Sequence, residues 1–188
     1  MCALGDNKAA NQIFDEVLAQ LKQPKEYDLE TMSEKFITAG QSSWLSGRPA
    51  VAIQFHTLAL AQKKCSAELR QQALLELGSY YVGLKQFKPA VAAFEQMDAT
   101  NIESESGTQK YYHILGLLEK AVALTHLGDF TQARKIIAHL EAQPSKPGIW
   151  LEDPEYSSGN AKITALLIKT KADIARQSQA RRSPAAKS

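Results

Sequence analysis

The sequence has few cysteines, and they are not arranged as a disulfide framework or a zinc site requires. Cys2 and Cys65 are the only two among 188 residues, and they lie far apart in the chain. Two free thiols in a reducing compartment are the expected state, so the sequence predicts a cytoplasmic protein. The N-terminus lacks the basic-then-apolar order of a secretory signal, and no apolar run approaches the roughly 18 residues of a membrane span.

Motifs for catalysis are also missing. The sequence contains no glycine-rich phosphate loop, no CxxC, no HExxH and no GxSxG. His113, His126 and His139 recur at equal intervals along the chain. A helical interval of this length turns through about 220°, so these side chains do not converge on one metal ion. We therefore expect a protein that is not an enzyme and that holds neither a metal nor a cofactor.

A repeat motif is what the sequence does contain. Residues 74–94, LLELGSYYVGLKQFKPAVAAF, carry LxxLGxxY and then AxxxF. This resembles the tetratricopeptide (TPR) pattern WxxLGxxY…AxxxF, with Leu74 where the usual tryptophan stands. The resemblance implies two antiparallel helices that approach each other at small residues, here Gly78 and Ala90, while Phe94 fills the space beside them.

The motif recurs on both sides of this stretch. Upstream, Gly40 and Ala52 stand at equal distances along the chain before Gly78 and Ala90. Downstream, Ala121, Ala133 and Ile137 follow Gly78, Ala90 and Phe94 at a second common interval, which is slightly longer. The sequence thus contains three candidate helix pairs. Several pairs are needed because one pair cannot bury its own apolar face.

The turn of the third pair has the composition of a helix–helix connection. Gly128 suits the left-handed residue that ends a helix, and Asp129 suits the N-cap of the next one. We therefore predict an all-α fold, an antiparallel helix-hairpin (TPR-like) solenoid of about eight helices in a right-handed superhelical stack. Its predicted parts are an N-terminal capping helix and linker (1–32), three helix pairs within 33–147 (about 33–66, 71–104 and 114–147), a loop and C-terminal capping helix (148–176), and a disordered basic tail (177–188).

The resemblance also implies a partner-binding groove, which the first helix of each pair lines. The family's groove positions correspond here to Ile37, Gln41, Trp44, Leu75, Glu76, Ser79, Val82, Leu118, Glu119, Val122 and His126. Family members that bind a chaperone's C-terminal carboxylate use lysine, asparagine and arginine at such positions. Because this set has two acids and no lysine or arginine, the sequence does not favour a carboxylate clamp.

The predicted function is a non-enzymatic interaction module, an adaptor or assembly scaffold. Its groove would hold an apolar helix or an extended segment of a protein partner, with basic flanks that complement the glutamates. One alternative is a small chaperone similar to the class II chaperones of type III secretion. Self-association is open as well, and the protein's own terminal helix is a second possible occupant of the groove.

Another alternative depends on charge at the C-terminal end. From Ala161 onward there are seven lysine and arginine residues against one acid, Asp173. This excess could serve a TPR protein associated with nucleic acid. No aromatic residues are interleaved with these charges, so the sequence does not favour a single-strand binding surface there.

Overall fold

The computed structural model describes residues 29–98, 107–142 and 157–182, and every regular element in these ranges is an α-helix. The predicted all-α class is therefore confirmed for this part of the chain, which contains seven helices and no strand. The predicted N-terminal capping helix, which would be the eighth, lies outside the described residues. The chain divides into two compact units, Met1–Cys65 and Ser66–Ser188.

The first unit contains one helical hairpin. Helix α1 covers Leu29–Leu45 and helix α2 covers Pro49–Ala61. Gly47, between them, has a φ of 72°, which glycine adopts without a steric penalty. Pro49 opens α2, where its missing N–H group costs no intrahelical hydrogen bond.

The second unit contains five helices, namely α3 (Ala67–Gly83), α4 (Phe87–Asp98), α5 (Gly107–Leu127), α6 (Phe130–Glu141) and α7 (Ser157–Arg182). Helices α3 and α4 pair as one hairpin, and α5 and α6 pair as the next. Helix α5 also packs against α3 and α4, and α7 packs against α5 and α6. This stacking of successive hairpins is the packing of a helical solenoid.

A glycine faces an aromatic ring inside two of the hairpins. A β-carbon added to Gly78 would lie 2.4 Å from Cε1 of Phe94, and one added to Gly40 would lie 2.2 Å from Nδ1 of His56. Glycine and ring are separated by the same interval in both hairpins, so the two pairs occupy equivalent repeat positions. Each glycine therefore lets a ring of the second helix touch the backbone of the first.

Each of the three hairpin turns contains one residue with a positive φ. Gly47, Lys85 and Gly128 have φ angles of 72°, 59° and 85°. The interval from the first to the second of these residues equals the interval between the first two repeats. The interval from the second to the third equals the interval between the last two repeats. The predicted capping by Asp129 is confirmed, because its Oδ1 accepts a hydrogen bond of 3.0 Å from the backbone N–H of Gln132.

The core of the second unit joins α5, α6 and α7. Its buried members are Ile114, Leu118, Ala121, Leu124, Ala133, Ile137, Leu140, Ile163, Leu167 and Ile174. Helix α7 supplies the last three of these, and Thr170 on the same stripe is 1 % exposed. The apolar stripe of this C-terminal helix is thus buried on its own unit. None of the described helices has both the length and the apolar character that crossing a membrane requires.

Two predicted boundaries differ from the structure. Helix α5 begins at Gly107, earlier than the predicted start of the third pair near residue 114. Helix α7 continues to Arg182, so residues 177–182 are helical where a disordered tail was predicted. Tertiary contacts explain the longer helix, because Ser178 is buried and accepts a hydrogen bond of 2.9 Å from Nη2 of Arg134. Residues 183–188 of the predicted tail lie outside the described part.

Candidate functional site

The candidate site lies on the first helices of the hairpins in the second unit, α3 and α5, and on α7 beside them. Helix α7 runs in the same direction as α5. A β-carbon added to Gly159, near the start of α7, would lie 3.1 Å from Cε2 of Tyr111, near the start of α5. At the other end, Arg181 of α7 lies against Gly128, just beyond α5. Helix α7 therefore extends the row of first helices.

The predicted groove residues differ widely in exposure. Three aliphatic side chains are buried, with exposed fractions of 2 % for Ile37, 5 % for Leu75 and 0 % for Leu118. Half-buried members are Gln41 and Trp44 in the first unit and Glu76, Ser79, Val82, Glu119 and Val122 in the second. The aliphatic groove residues that α3 and α5 still present are thus Val82 and Val122, with two carboxylates beside them. We call the half-buried groove residues of α3 and α5 the inner face.

A hydrogen bond connects α3 to α5 across the inner face. The Ser79 hydroxyl lies 2.5 Å from Oε2 of Glu119 and 2.9 Å from the carbonyl oxygen of Leu75. A hydroxyl has one proton and donates it to one acceptor at a time. The Ser79 hydroxyl donates to Glu119 and also lies within hydrogen-bond distance of the Leu75 carbonyl oxygen, so the two oxygens compete for one proton.

The position of Glu119 on the inner face affects the pKa of its carboxyl. Burial raises the pKa of the Glu119 carboxyl, because desolvation disfavours the charged state. The Ser79 hydrogen bond and the positive charge of Lys162 act in the opposite direction and are smaller effects. Lys162 belongs to α7, so this helix places a cation close enough to Glu119 to influence its charge.

A second polar group lies one turn earlier on α3. Nε2 of Gln72 donates a hydrogen bond of 3.0 Å to Oε1 of Glu76. Glu76 also accepts a hydrogen bond from Tyr80, and the pKa of Tyr80 is raised, first by burial and then by the Glu76 charge. Both glutamates of the inner face are therefore held by neighbouring side chains.

His126 is the one predicted groove residue that is exposed, and it packs at the turn end of the hairpins. Its ring stacks on that of Phe87, the first residue of α4, with 4.3 Å between the ring centres and an angle of 5° between the planes. This contact joins the second hairpin to the third. It gives His126 a packing role between repeats that the groove assignment did not include.

Sequence reasoning missed two contributors to this surface. Lys162 of α7 lowers the pKa of Glu119 by its positive charge. Tyr80, one turn after Glu76 on α3, donates a hydrogen bond to Glu76. The positive charge of the C-terminal segment was a signal for the first, since it complements the groove glutamates. Nothing in the spacing distinguished Tyr80 from its neighbour Tyr81, which the repeat pattern selects.

Chemically, the inner face offers hydrogen-bond acceptors, small apolar side chains and a compensating cation. Within 29–98, 107–142 and 157–182, no group of three or more histidine, cysteine, aspartate or glutamate side chains is placed to hold a metal ion. Comparison of the chain with protein-family models, with curated proteins and with solved structures finds no match.

Proposed function

We propose that this chain is a TPR-type, non-enzymatic interaction module whose inner face binds a segment of a partner protein. The supporting observation is the agreement between repeat positions and geometry. The glycine–ring pairs recur at equivalent positions of two hairpins, and a residue with positive φ recurs at the equivalent position of all three turns. A stack of such hairpins is an architecture that presents an extended surface and carries no built-in chemistry.

The inner face indicates the chemistry of the partner segment. Val82 and Val122 are half-buried aliphatic side chains, and Glu76 and Glu119 contribute carboxylates beside them. A segment with small apolar side chains and basic flanks would complement this surface, because it would cover the valines and pair with the acids. Leu75 and Leu118 were predicted to line the groove, but both are buried and do not contribute apolar surface to it. A broad hydrophobic helix therefore fits this face less well than a narrow, extended segment.

Peptide selection followed by site-directed change tests the proposal. Peptides would be selected from a random displayed library on the wild-type protein, and their affinities measured by calorimetry. We expect Val82→Lys to weaken the selected peptides by about tenfold or more, because it removes apolar contact area and repels basic flanks. Ala92→Lys is the matched control, since Ala92 is exposed on α4 and receives the same charge.

Two results would refute the inner-face proposal. The first is a selection that yields no peptide enriched in basic and small apolar residues. The second is a set of peptides whose affinities respond equally to Val82→Lys and Ala92→Lys. Circular dichroism of both variants shows whether they retain the helical content of the wild type, so that loss of binding is not confused with unfolding.

A further inference from the structure

An open cavity lies where the turn between α5 and α6 meets the last turns of α7. Its volume is about 340 Å³. The lining residues are Gly128, Asp129, Phe130, Thr131, Arg134, Ser178 and Arg181. Two of these side chains are guanidinium groups and one is a carboxylate. The cavity is separate from the inner face and shares no residue with it.

Arg181 of α7 lies against the turn between α5 and α6. Its Cζ atom lies 5.3 Å from the centre of the Phe130 ring, which places the cation over the ring face. A β-carbon at Gly128 would lie 1.9 Å from Nη1 of Arg181, so the guanidinium packs closely against the backbone of this glycine. Neither contact is a hydrogen bond of the guanidinium. The N–H groups on its edge form no ion pair with any residue that the structure describes.

Arg134 is held from the other side of the cavity. Its Nη2 donates a hydrogen bond of 2.9 Å to Oγ of Ser178, which is 7 % exposed. The Ser178 hydroxyl donates in turn to the carbonyl oxygen of Ala175 at 3.0 Å. This contact leaves the other N–H groups of Arg134 available. No ion pair of Arg134 occurs among the residues of the described ranges either.

The acid that lines the cavity, Asp129, accepts hydrogen bonds from Gln132. Oδ1 of Asp129 accepts from the backbone N–H of Gln132, and its Oδ2 accepts from Nε2 of the same residue at 3.1 Å. The first turn of α6 is therefore capped from within the chain, and its dipole is not the anchor for an anion. Hydrogen bonds from neutral N–H groups do not cancel the charge of a carboxylate, so the charged groups that line the cavity are two guanidinium groups and one carboxylate. No ion pair of either guanidinium group occurs in the described part of the chain.

We propose that this cavity binds a phosphate monoester, carried by a phosphorylated serine or threonine of a partner polypeptide. A phosphate monoester carries about −1.5 to −2 charges at neutral pH, which matches two guanidinium groups better than a single carboxylate does. Planar guanidinium groups also bind phosphate oxygens through two parallel hydrogen bonds. The proposal rests on the proposed function in one respect, namely that the partner is a protein.

A membrane surface fits the cavity less well than a peptide does. Binding at a bilayer requires a sizeable apolar face beside the cations. Phe130 is partly covered by Arg181, and the strongly exposed Ile168 does not line the cavity. Leu127, 38 % exposed, stands next to the turn in sequence but is a single side chain. A pocket for one phosphate group is therefore the better description.

A titration followed by NMR tests the proposal with defined probes. The probes are a blocked tripeptide, acetyl-Ala-phosphoserine-Ala-amide, and its unphosphorylated equivalent. We expect the phosphorylated peptide to shift the backbone amide signals of Thr131 and Gln132, and the unphosphorylated peptide to leave them unchanged. Arg134→Gln/Arg181→Gln should weaken this binding by about tenfold or more, since each loses charge-assisted hydrogen bonds.

A matched double variant controls for loss of charge alone. Lys135→Gln/Lys169→Gln removes two exposed lysines outside the cavity and should bind the phosphorylated peptide like the wild type. If the arginine-to-glutamine variant unfolds, Arg134→Lys/Arg181→Lys keeps both charges and should still weaken binding, because lysine lacks the planar fork. Val82→Lys should leave the phosphopeptide affinity unchanged, which separates this proposal from the inner-face proposal.

Several results would overturn the proposal. Equal affinity for the two peptides would show that the phosphate is not recognised. An equal loss of affinity in the lysine double variant would show that any positive surface suffices. Stronger, arginine-dependent binding to vesicles that contain phosphatidylinositol phosphates than to the phosphopeptide would assign the cavity to a membrane lipid. Saturation by inorganic phosphate at the same concentration as the peptide would assign it to a free ion.

Discussion

We expect the substitution of Lys85 by glycine to stabilise the protein. The φ of Lys85, 59°, lies in the left-handed region, where Gly47 and Gly128 stand in the other two turns. A side chain in this region costs about 1–2 kcal/mol, because the β-carbon approaches the following carbonyl oxygen. Glycine avoids that cost and loses about 0.5–1 kcal/mol through the greater freedom of the unfolded chain. Lys85→Gly should therefore raise the free energy of unfolding by about 0.5–1 kcal/mol.

The hydrogen bonds of this turn do not depend on the lysine side chain. The backbone N–H of Lys85 donates to the carbonyl oxygen of Val82 at 2.9 Å, and glycine keeps that group. Lys85 is exposed, so the substitution removes no buried contact. The gain should appear as a rise in melting temperature of about 1–4 °C for a chain of this size.

Urea unfolding followed by circular dichroism measures this gain, and Lys85→Ala is the control. Alanine keeps the β-carbon and removes the charge and the long side chain. Lys85→Ala should leave stability within about 0.5 kcal/mol of the wild type, since it changes only an exposed surface position. Equal effects of glycine and alanine, or a loss of stability with glycine, would refute the backbone-strain argument. Gly47→Ala should show the reverse effect without a steric clash, because nothing lies within 4 Å of a β-carbon there.

Three further predictions concern positions on α3 and α5 of the second unit. Gly78→Ala should lower the free energy of unfolding by about 1–3 kcal/mol, because the new methyl group overlaps the ring of Phe94. In a Phe94→Leu background the same change should cost clearly less, and an equal cost in both backgrounds would contradict the contact. Gln71 is fully buried, and neither polar atom of its side-chain amide has a hydrogen-bond partner among the described residues, so Gln71→Met should stabilise by about 1–3 kcal/mol in urea unfolding. The raised pKa of Glu119 contributes stability that is complete below its ordinary value of 4.5 and is lost as the pH rises through the raised pKa. Glu119→Gln should therefore gain stability relative to the wild type over that pH range in melting experiments, and a difference independent of pH would reject the assignment.

The sequence predicted the conformation of one hairpin turn from residue type and did not predict that of another. Gly128 and Asp129 are residue types that favour a left-handed conformation and an N-cap, and the structure confirms both. Lys85 takes the left-handed conformation although lysine has no preference for it. No prediction was made for Lys85 from the sequence, and the signal that remained unused is the position of Lys85 between two glycines at the intervals of the repeat. At this turn, position within the repeat is more informative than residue type.

The exposure of the groove residues was harder to predict than their placement on helices. The repeat pattern assigned Leu118 to the first helix of the third pair, and it lies on α5. It is buried in one apolar cluster with Ile163 and Leu167 of α7. The distance of α7 along the chain and the direction in which it packs are tertiary properties. A periodic pattern in α7 predicts which of its faces is apolar, and not which helix that face covers.

The ring of Phe94 has a consequence for how the second unit opens. It lies against Gly78 of α3, and its Cδ1 would be 3.8 Å from a β-carbon on Gly116 of α5. Met97, nearly one turn later on α4, would be 3.0 Å from the same β-carbon. Because Phe94 lies against α3 and close to α5, separating these helices exposes the ring to water. Amide protons of α3, α4 and α5 should therefore exchange with solvent deuterium as one cooperative group, at a common free energy of opening.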